Sequence, residues 1–305
     1  MTRRRRESTS SAPVAWGAFS VGAIASLIAS AILKGHPPGG AERWTRTNHA
    51  GCPVTLFEGP AYAVGAVVGA LSGGAGAPAA VAGLGAGFLG ALDDWFGGSS
   101  SKGLRGHLAA ARRGQVTTGV VKIVGLGVTG LATAWLADRS PGMTGTRATE
   151  ALTTVVGGAV IAGSANVVNL FDLRPGRALK VVLLLVVPFA AGRPGSRPST
   201  AAAATAAATA AATAGAAMVA LPDDLSGRSM LGDTGANSAG ALIGAALVAR
   251  TGLRGRLLAL ASVTALTLAS EMVSFTNVIE SSPTLSRLDA LGRPPRPSHG
   301  APVSP

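Results

Sequence analysis

With 305 residues, 48% of them hydrophobic and 13% charged, the chain carries about half the roughly 25% charged content of a soluble domain. Lys and Arg outnumber Asp and Glu to give a net charge of +12, but they lie between apolar runs and form no basic stripe interleaved with aromatics, which argues against a nucleic-acid partner. Cys52 is the sole cysteine, so an intrachain disulfide and a thiolate metal cluster are both excluded.

A membrane-crossing helix needs about 20 mainly apolar residues. After the basic start Thr2–Arg6, the run Val14–Leu33 is too long for a signal-peptide core and reads as a retained first helix. The uncharged stretch from Gly59 to Leu92 is too long for one straight crossing. Its Gly-rich break at Ser72–Pro78 divides it into Gly59–Gly73 and Ala77–Leu92. Thr117–Ala137, Ala148–Val168 and Ala178–Ala191 follow. Thr200–Leu221 is almost pure Ala and Thr. A low-complexity linker is one reading, but Ala is the best helix former and small residues pack membrane helices tightly, so a buried helix is the better one. Ala236–Ala249 and Leu257–Val278 complete the set. The pattern predicts an all-α, polytopic transmembrane bundle of about nine helices, within a range of eight to ten. Residues 1–13 form a basic tail and 14–278 the membrane domain. Residues 279–305 form a partly disordered tail, since Pro294–Pro305 is rich in Pro and Ser and has little to bury.

Nine crossings place the loops 43–58, 93–115, 169–177 and 222–235 on one side of the membrane. That side holds slightly more Lys and Arg than the other, which favours it as cytoplasmic. Its loops carry nearly all the motif-like sequence. Asp93 and Asp94 end an apolar segment, where adjacent carboxylates are costly unless a cation neutralises them. A Mg²⁺ or phosphate-transfer site and a solvated helix end both fit. Asn166 and Asn169 are three residues apart and share a helix face, with Asp172 one step further along it. They suit either backbone capping or contacts to a base or sugar. Asp233, in Gly232-Asp233-Thr234-Gly235, enters an apolar helix where glycine permits close approach to a ligand, or where the acid is a plain cap. Near the last helix, Glu271 is a candidate for a buried ion pair with Arg256.

In their order along the chain, Asp93-Asp94, Asn166-x-x-Asn169-Leu170-x-Asp172 and Gly232-Asp233-Thr234-Gly235 resemble the polyprenyl-phosphate N-acetylhexosamine-1-phosphate transferase superfamily. Arg46–Gly51 stands where that family has its first cytoplasmic loop, and the similarity runs from about Arg43 to Gly244. The resemblance implies a Mg²⁺-dependent phosphoglycosyl transferase of the cell membrane, serving cell-envelope polysaccharide synthesis such as that of peptidoglycan. It would move a sugar-1-phosphate from a UDP-sugar to a polyprenyl phosphate lipid and release UMP. By the same resemblance, Asp94 and Asp233 hold the metal and Asp93 orients or deprotonates the lipid phosphate. Asn48, Asn166, Asn169 and Asp172 contact the nucleotide side. A homodimer is compatible with it. Apart from the resemblance, Lys102, with Arg105, Arg112 and Arg113, suits either a phosphate contact or an anchoring charge belt, and Arg174 and Arg177 are candidates to bind a phosphate in place of the missing groups. Two departures point to an alternative. Pro175 replaces an acidic residue after Asp172, and the His-rich loop of the muramoyl branch is absent. A catalytically altered or inactive relative, binding a polyprenyl phosphate or a cell-envelope partner, fits those departures.

Overall fold

A computed structural model of the chain describes residues 12–48, 51–96, 106, 112–114, 117–139, 146–190 and 200–294. In chain order it contains α1 (Ala12–Gly35), the antiparallel pair β1 (Thr45–Thr47) and β2 (Pro53–Thr55), α2 (Glu58–Ser72), α3 (Gly76–Phe96) and α4 (Thr118–Asp138). Next come α5 (Arg147–Phe171), α6 (Arg177–Ala190), α7 (Thr200–Leu225), α8 (Gly232–Arg250) and α9 (Leu253–Met272). Two short helices follow, α10 (Phe275–Ser281) and α11 (Pro283–Ala290).

Among the described residues, six helices are long and apolar enough to cross a membrane: α1, α3, α4, α5, α7 and α9. This is the organisation of an all-α, multi-pass membrane protein. The other expected crossings, α2, α6 and α8, are helical too. The first two have 15 and 14 residues and the third is rich in Gly, Ser and Asn, so a count of about nine spans rests on these three shorter or more polar helices.

The break between α2 and α3 falls at Gly73–Ala75, and α3 widens into a π-helical turn at Val81–Gly85. Thr117 and Thr146 start α4 and α5 by accepting the N–H of Val120 and Thr149. The Ala/Thr segment is a helix, and much of it is buried. Its Thr209 and Thr213 hydroxyls donate to the carbonyls of Thr205 and Thr209, at 2.9 and 2.8 Å. That back-bonding satisfies both of these hydroxyl donors in an apolar setting. Around it the helices meet through small residues: a Cβ at Gly22 would lie 2.8 Å from the Ala212 carbonyl oxygen.

The centre of the bundle is α8, buried along nearly its whole length between α2, α3, α5 and α7. Such burial needs small side chains at its contacts. A Cβ at Gly240 would stand 2.2 Å from the Ser164 carbonyl oxygen. Large apolar side chains such as Ile28 on α1, Val128 on α4 and Leu258 on α9 point outward, as lipid-facing surfaces do. At the far end of the bundle Arg256 makes a two-pronged pair with Asp138, at 2.8 and 2.6 Å. Asp138, and not Glu271, is therefore its acidic partner.

Several loops are shorter than the sequence suggests. Helix α3 runs on to Phe96, so Asp93 and Asp94 lie in its last turns. Helix α7 continues through Pro222 to Leu225, which shrinks the last motif loop to 226–231. Within 43–58 the chain forms the hairpin, which docks on that loop through Met230 N–H to Thr55 O at 3.0 Å.

Candidate functional site

Gly232 opens α8 with φ +62°, a conformation that favours glycine. A Cβ there would also crowd the Asp94 carboxylate, 3.2 Å from Oδ2. The bare glycine lets Asp94 reach the first turn of α8. Asp94 Oδ1 accepts the Asp233 N–H at 3.1 Å, and Oδ2 accepts the Thr234 N–H at 2.9 Å and the Thr234 hydroxyl at 2.6 Å. A carboxylate on the free N–H groups of a helix start is favoured by both hydrogen bonding and the helix dipole. Arg46, from the hairpin, donates to the Asp94 carbonyl oxygen. Close contact of α3 with α8 depends on Gly90, where a Cβ would meet the Asp233 carbonyl oxygen at 2.2 Å.

Beside this cap, Asp233 turns toward α4. Lys122 Nζ lies 2.5 Å from Asp233 Oδ2 and 3.4 Å from Asp93 Oδ2, with its side chain 13% exposed. One ammonium thus bridges two carboxylates from different helices. Next to it, a cavity of about 250 Å³ between α3 and α4 is lined by Leu89, Leu92, Asp93, Phe96, Val121 and Lys122. Its rim residues Phe96 and Val121 are exposed.

On the other side of the α8 start lies Asp172, which ends α5. Burial, with Asp224 and Asp233 nearby, pushes its carboxyl well above the usual carboxylate range, while the neighbouring Gly232 N–H pulls the other way. A second cavity, of about 180 Å³, is lined by Asn48, Asp172, Arg174, Asp224 and Ser229 among others. Asn48 closes the hairpin turn by accepting the Cys52 N–H at 3.0 Å.

Asp93, Asp94, Asp233, Asp172, Asn48 and Arg174 therefore gather at one end of the bundle. Asn169 sits half-buried one turn before Asp172. Two expected substrate contacts are otherwise engaged. Asn166 turns to α9 and donates to the Thr267 hydroxyl at 3.1 Å, because mid-helix it faces a packed neighbour. Arg177 is 3% exposed and spends its guanidinium on Asp289 and Thr276, so it has no donor directed at the cavity. Lys102 lies outside the described residues.

No family model matches this chain, and no curated protein matches it.

The donor set decides how a metal would fit. Among the described residues, no group of three His, Cys, Asp or Glu side chains is placed to hold an ion. Mg²⁺, however, is usually held by one or two carboxylates together with substrate phosphates and water. The place that the Lys122 ammonium takes between Asp93 and Asp233 is a cation position of that kind. Asp94 has most of its acceptor capacity committed to α8. The residues fit a Mg²⁺ held chiefly by Asp93 and Asp233.

Lys122 is the candidate residue that motif reading missed, and its signal was plain: a lone ammonium in a helix whose only other charge is the terminal Asp138 is a functional candidate by default. Asp224 was missed as well. Its Oδ1 accepts the Gly176 N–H at 2.9 Å and so holds the turn after Asp172.

Proposed function

We propose that the chain is a phosphoglycosyl transferase that moves a sugar-1-phosphate from a UDP-sugar to a polyprenyl phosphate. The reading is supported chiefly by the Asp93–Lys122–Asp233 bridge at the start of α8, flanked by a mainly apolar cavity on one side and, on the other, a cavity that Asn48, Asp172 and Arg174 line. Such a site suits a lipid-borne phosphate and a soluble nucleotide sugar that must meet.

In the reaction, an oxygen of the lipid phosphate attacks the sugar-bearing phosphorus of the UDP-sugar. A new P–O–P link forms as the bond to the bridging oxygen of UMP breaks, and UMP leaves with that electron pair. Phosphoryl transfer of this kind rests on positioning and charge neutralisation. Lys122 meets the developing charge. Asp93, which also lines the apolar cavity, orients the lipid phosphate. Asp94 holds the α8 turn that carries Asp233. Asn48, Asp172 and Arg174 face the nucleotide sugar. When bound, Mg²⁺ on Asp93 and Asp233 would offset diphosphate charge. The motif face would be cytoplasmic, where UDP-sugars occur.

Purified protein with undecaprenyl phosphate, Mg²⁺ and a panel of UDP-N-acetylhexosamines should release UMP, and Asp233→Asn should abolish release. Folded protein that turns over none of the panel rejects the proposal. A second reading, a non-catalytic lipid-phosphate binder, is favoured by one feature: Lys122 already satisfies both carboxylates. Binding of polyprenyl phosphate without binding of any UDP-sugar would select it.

A further inference from the structure

The segment after α9 carries no recognised motif, yet it is bolted to the loop that holds Asp172. Arg177 opens α6, and its Nε and Nη2 reach the two oxygens of Asp289 on α11 at 2.8 and 3.0 Å. Its Nη1 donates to the Thr276 hydroxyl on α10 at 3.0 Å. Lys180 Nζ donates to the Asp289 carbonyl oxygen at 2.6 Å. Arg293 completes the clasp, with its Nη2 3.0 Å from Asp289 Oδ2 and its Nε donating to the Pro175 carbonyl oxygen at 2.8 Å. Phe275 stacks on Phe171 at 5.2 Å between centroids. The outermost link, Arg174 to Glu280 at 2.9 Å, is with an exposed Glu.

These links differ in strength. Arg177 and Asp289 have side-chain exposures of 4% and 10%, and a two-pronged guanidinium–carboxylate pair away from water fixes geometry in a way that an exposed pair does not. The Arg174, Pro175 and Arg177 contacts converge on the turn 172–177, and those of Phe171 and Lys180 flank it. That turn sets where Asp172 stands against Gly232, one residue before Asp233. A chain of rigid contacts therefore runs from α11 through Arg177 to the candidate site.

We infer that Asp289 is a positioning residue: through Arg177 it fixes the 172–177 turn, and with it the wall, formed by Asp172 and Arg174, of the cavity that faces the nucleotide sugar. The target of the positioning rests on the transferase reading, while the clasp itself does not. Residue 289 touches no substrate. Its loss acts by letting Asp172 and Arg174 wander, which weakens ligand binding more than the chemical step.

The test is hydrogen exchange by mass spectrometry on the full chain in detergent, comparing wild type with Asp289→Asn. Amides of 173–177 should exchange about tenfold faster or more, while those of α5 and α8 stay within about twofold. Glu280→Gln, which removes the exposed link, should leave the turn within about twofold of wild type. Turn amides unchanged in Asp289→Asn, or a uniform acceleration of the whole bundle, overturns the inference. Should Asp289→Asn fail to fold, Asp289→Glu decides by the same criterion. If the wild type shows UMP release, Asp289→Asn should raise KM for the UDP-sugar roughly tenfold with kcat changed less than about threefold; an equal loss in kcat counts against it. Absence of wild-type turnover sinks the proposed reaction, and the exchange result still decides the clasp.

Discussion

Replacing Lys122 by Met keeps most of the length of the side chain and removes the charge that Asp93 and Asp233 share. Two opposite charges about 4 Å apart attract by about 4 kcal/mol at an effective dielectric of about 20. Desolvation of the ammonium offsets part of this, and the carboxylates are 23% and 26% exposed, so water relieves part of the loss. We expect a net destabilisation of about 2–3 kcal/mol, below the roughly 3–5 kcal/mol for stranding a charge in a fully buried pair. That corresponds to a fall in Tm of roughly 5–10 °C. Two carboxylates without a counter-charge should then recruit a cation. Thermal unfolding in detergent with and without Mg²⁺ should show the metal raising the Tm of Lys122→Met more than that of wild type. Adding Asp233→Asn should recover part of the lost stability, because neutralising one carboxylate relieves the repulsion. A Lys122→Met Tm within about 1 °C of wild type, with no added response to Mg²⁺, would refute the charge-bridge reasoning.

Asp94→Ala removes three hydrogen bonds at the start of α8 and should cost about 1–2 kcal/mol. Gly232→Ala adds about 1–2 kcal/mol of left-handed strain, and because both act on one cap, their effects on Tm should fall short of additive. Asn166→Ala should lose about 1 kcal/mol with its bond to Thr267, while nucleotide affinity by calorimetry stays unchanged. Asp289 gives a pH test. Burial works to raise its carboxyl, but the Arg177 hydrogen bond and charge, with Arg293, hold it below the ordinary value. Its contribution is present above the unfolded value of about 3.9 and is lost as pH falls through the lower folded value. The Tm gap between wild type and Asp289→Asn should therefore be widest near neutrality and close below about pH 4.

The sequence was most legible where one physical signal dominates. Uncharged runs gave the helices, because a chain in lipid must satisfy its backbone internally. Parity of crossings predicted that Asp93, Asp94 and Asp233 share an end, and they do. Boundaries were less legible. Pro222 reads as a stop, yet α7 carries it in its last turns. Helical spacing put Asn166 beside Asp172, but Asp172 falls past the helix end and α9 takes the face of Asn166. The C-terminal helices are too short and polar to read as membrane spans, although Ser274 and Ser282 start them as side-chain caps and Pro283 follows the second. No spacing rule links Arg177 to Asp289, 112 residues away.

Charge balance at the start of α8 constrains any phosphate ligand. Asp93, Asp94, Asp172, Asp224 and Asp233 gather there, the partly buried Lys122 ammonium pairs with Asp93 and Asp233, and the helix start adds about half a positive charge. Asp94 is largely screened by its hydrogen bonds, and burial drives Asp172 toward its neutral form. Asp93 and Asp233 remain, and Lys122 is the cation that pairs with both. A diphosphate entering this site without further positive charge would meet net repulsion. Were Mg²⁺ held by Asp93 and Asp233, Lys122 would be free to turn toward the phosphates. Metal and nucleotide should therefore bind with positive coupling, each raising the affinity of the other by the same factor. Equal UDP-sugar affinity with and without Mg²⁺ at constant ionic strength would mean that the ammonium bridge between Asp93 and Asp233 is structural and that the diphosphate, if it binds, does so elsewhere.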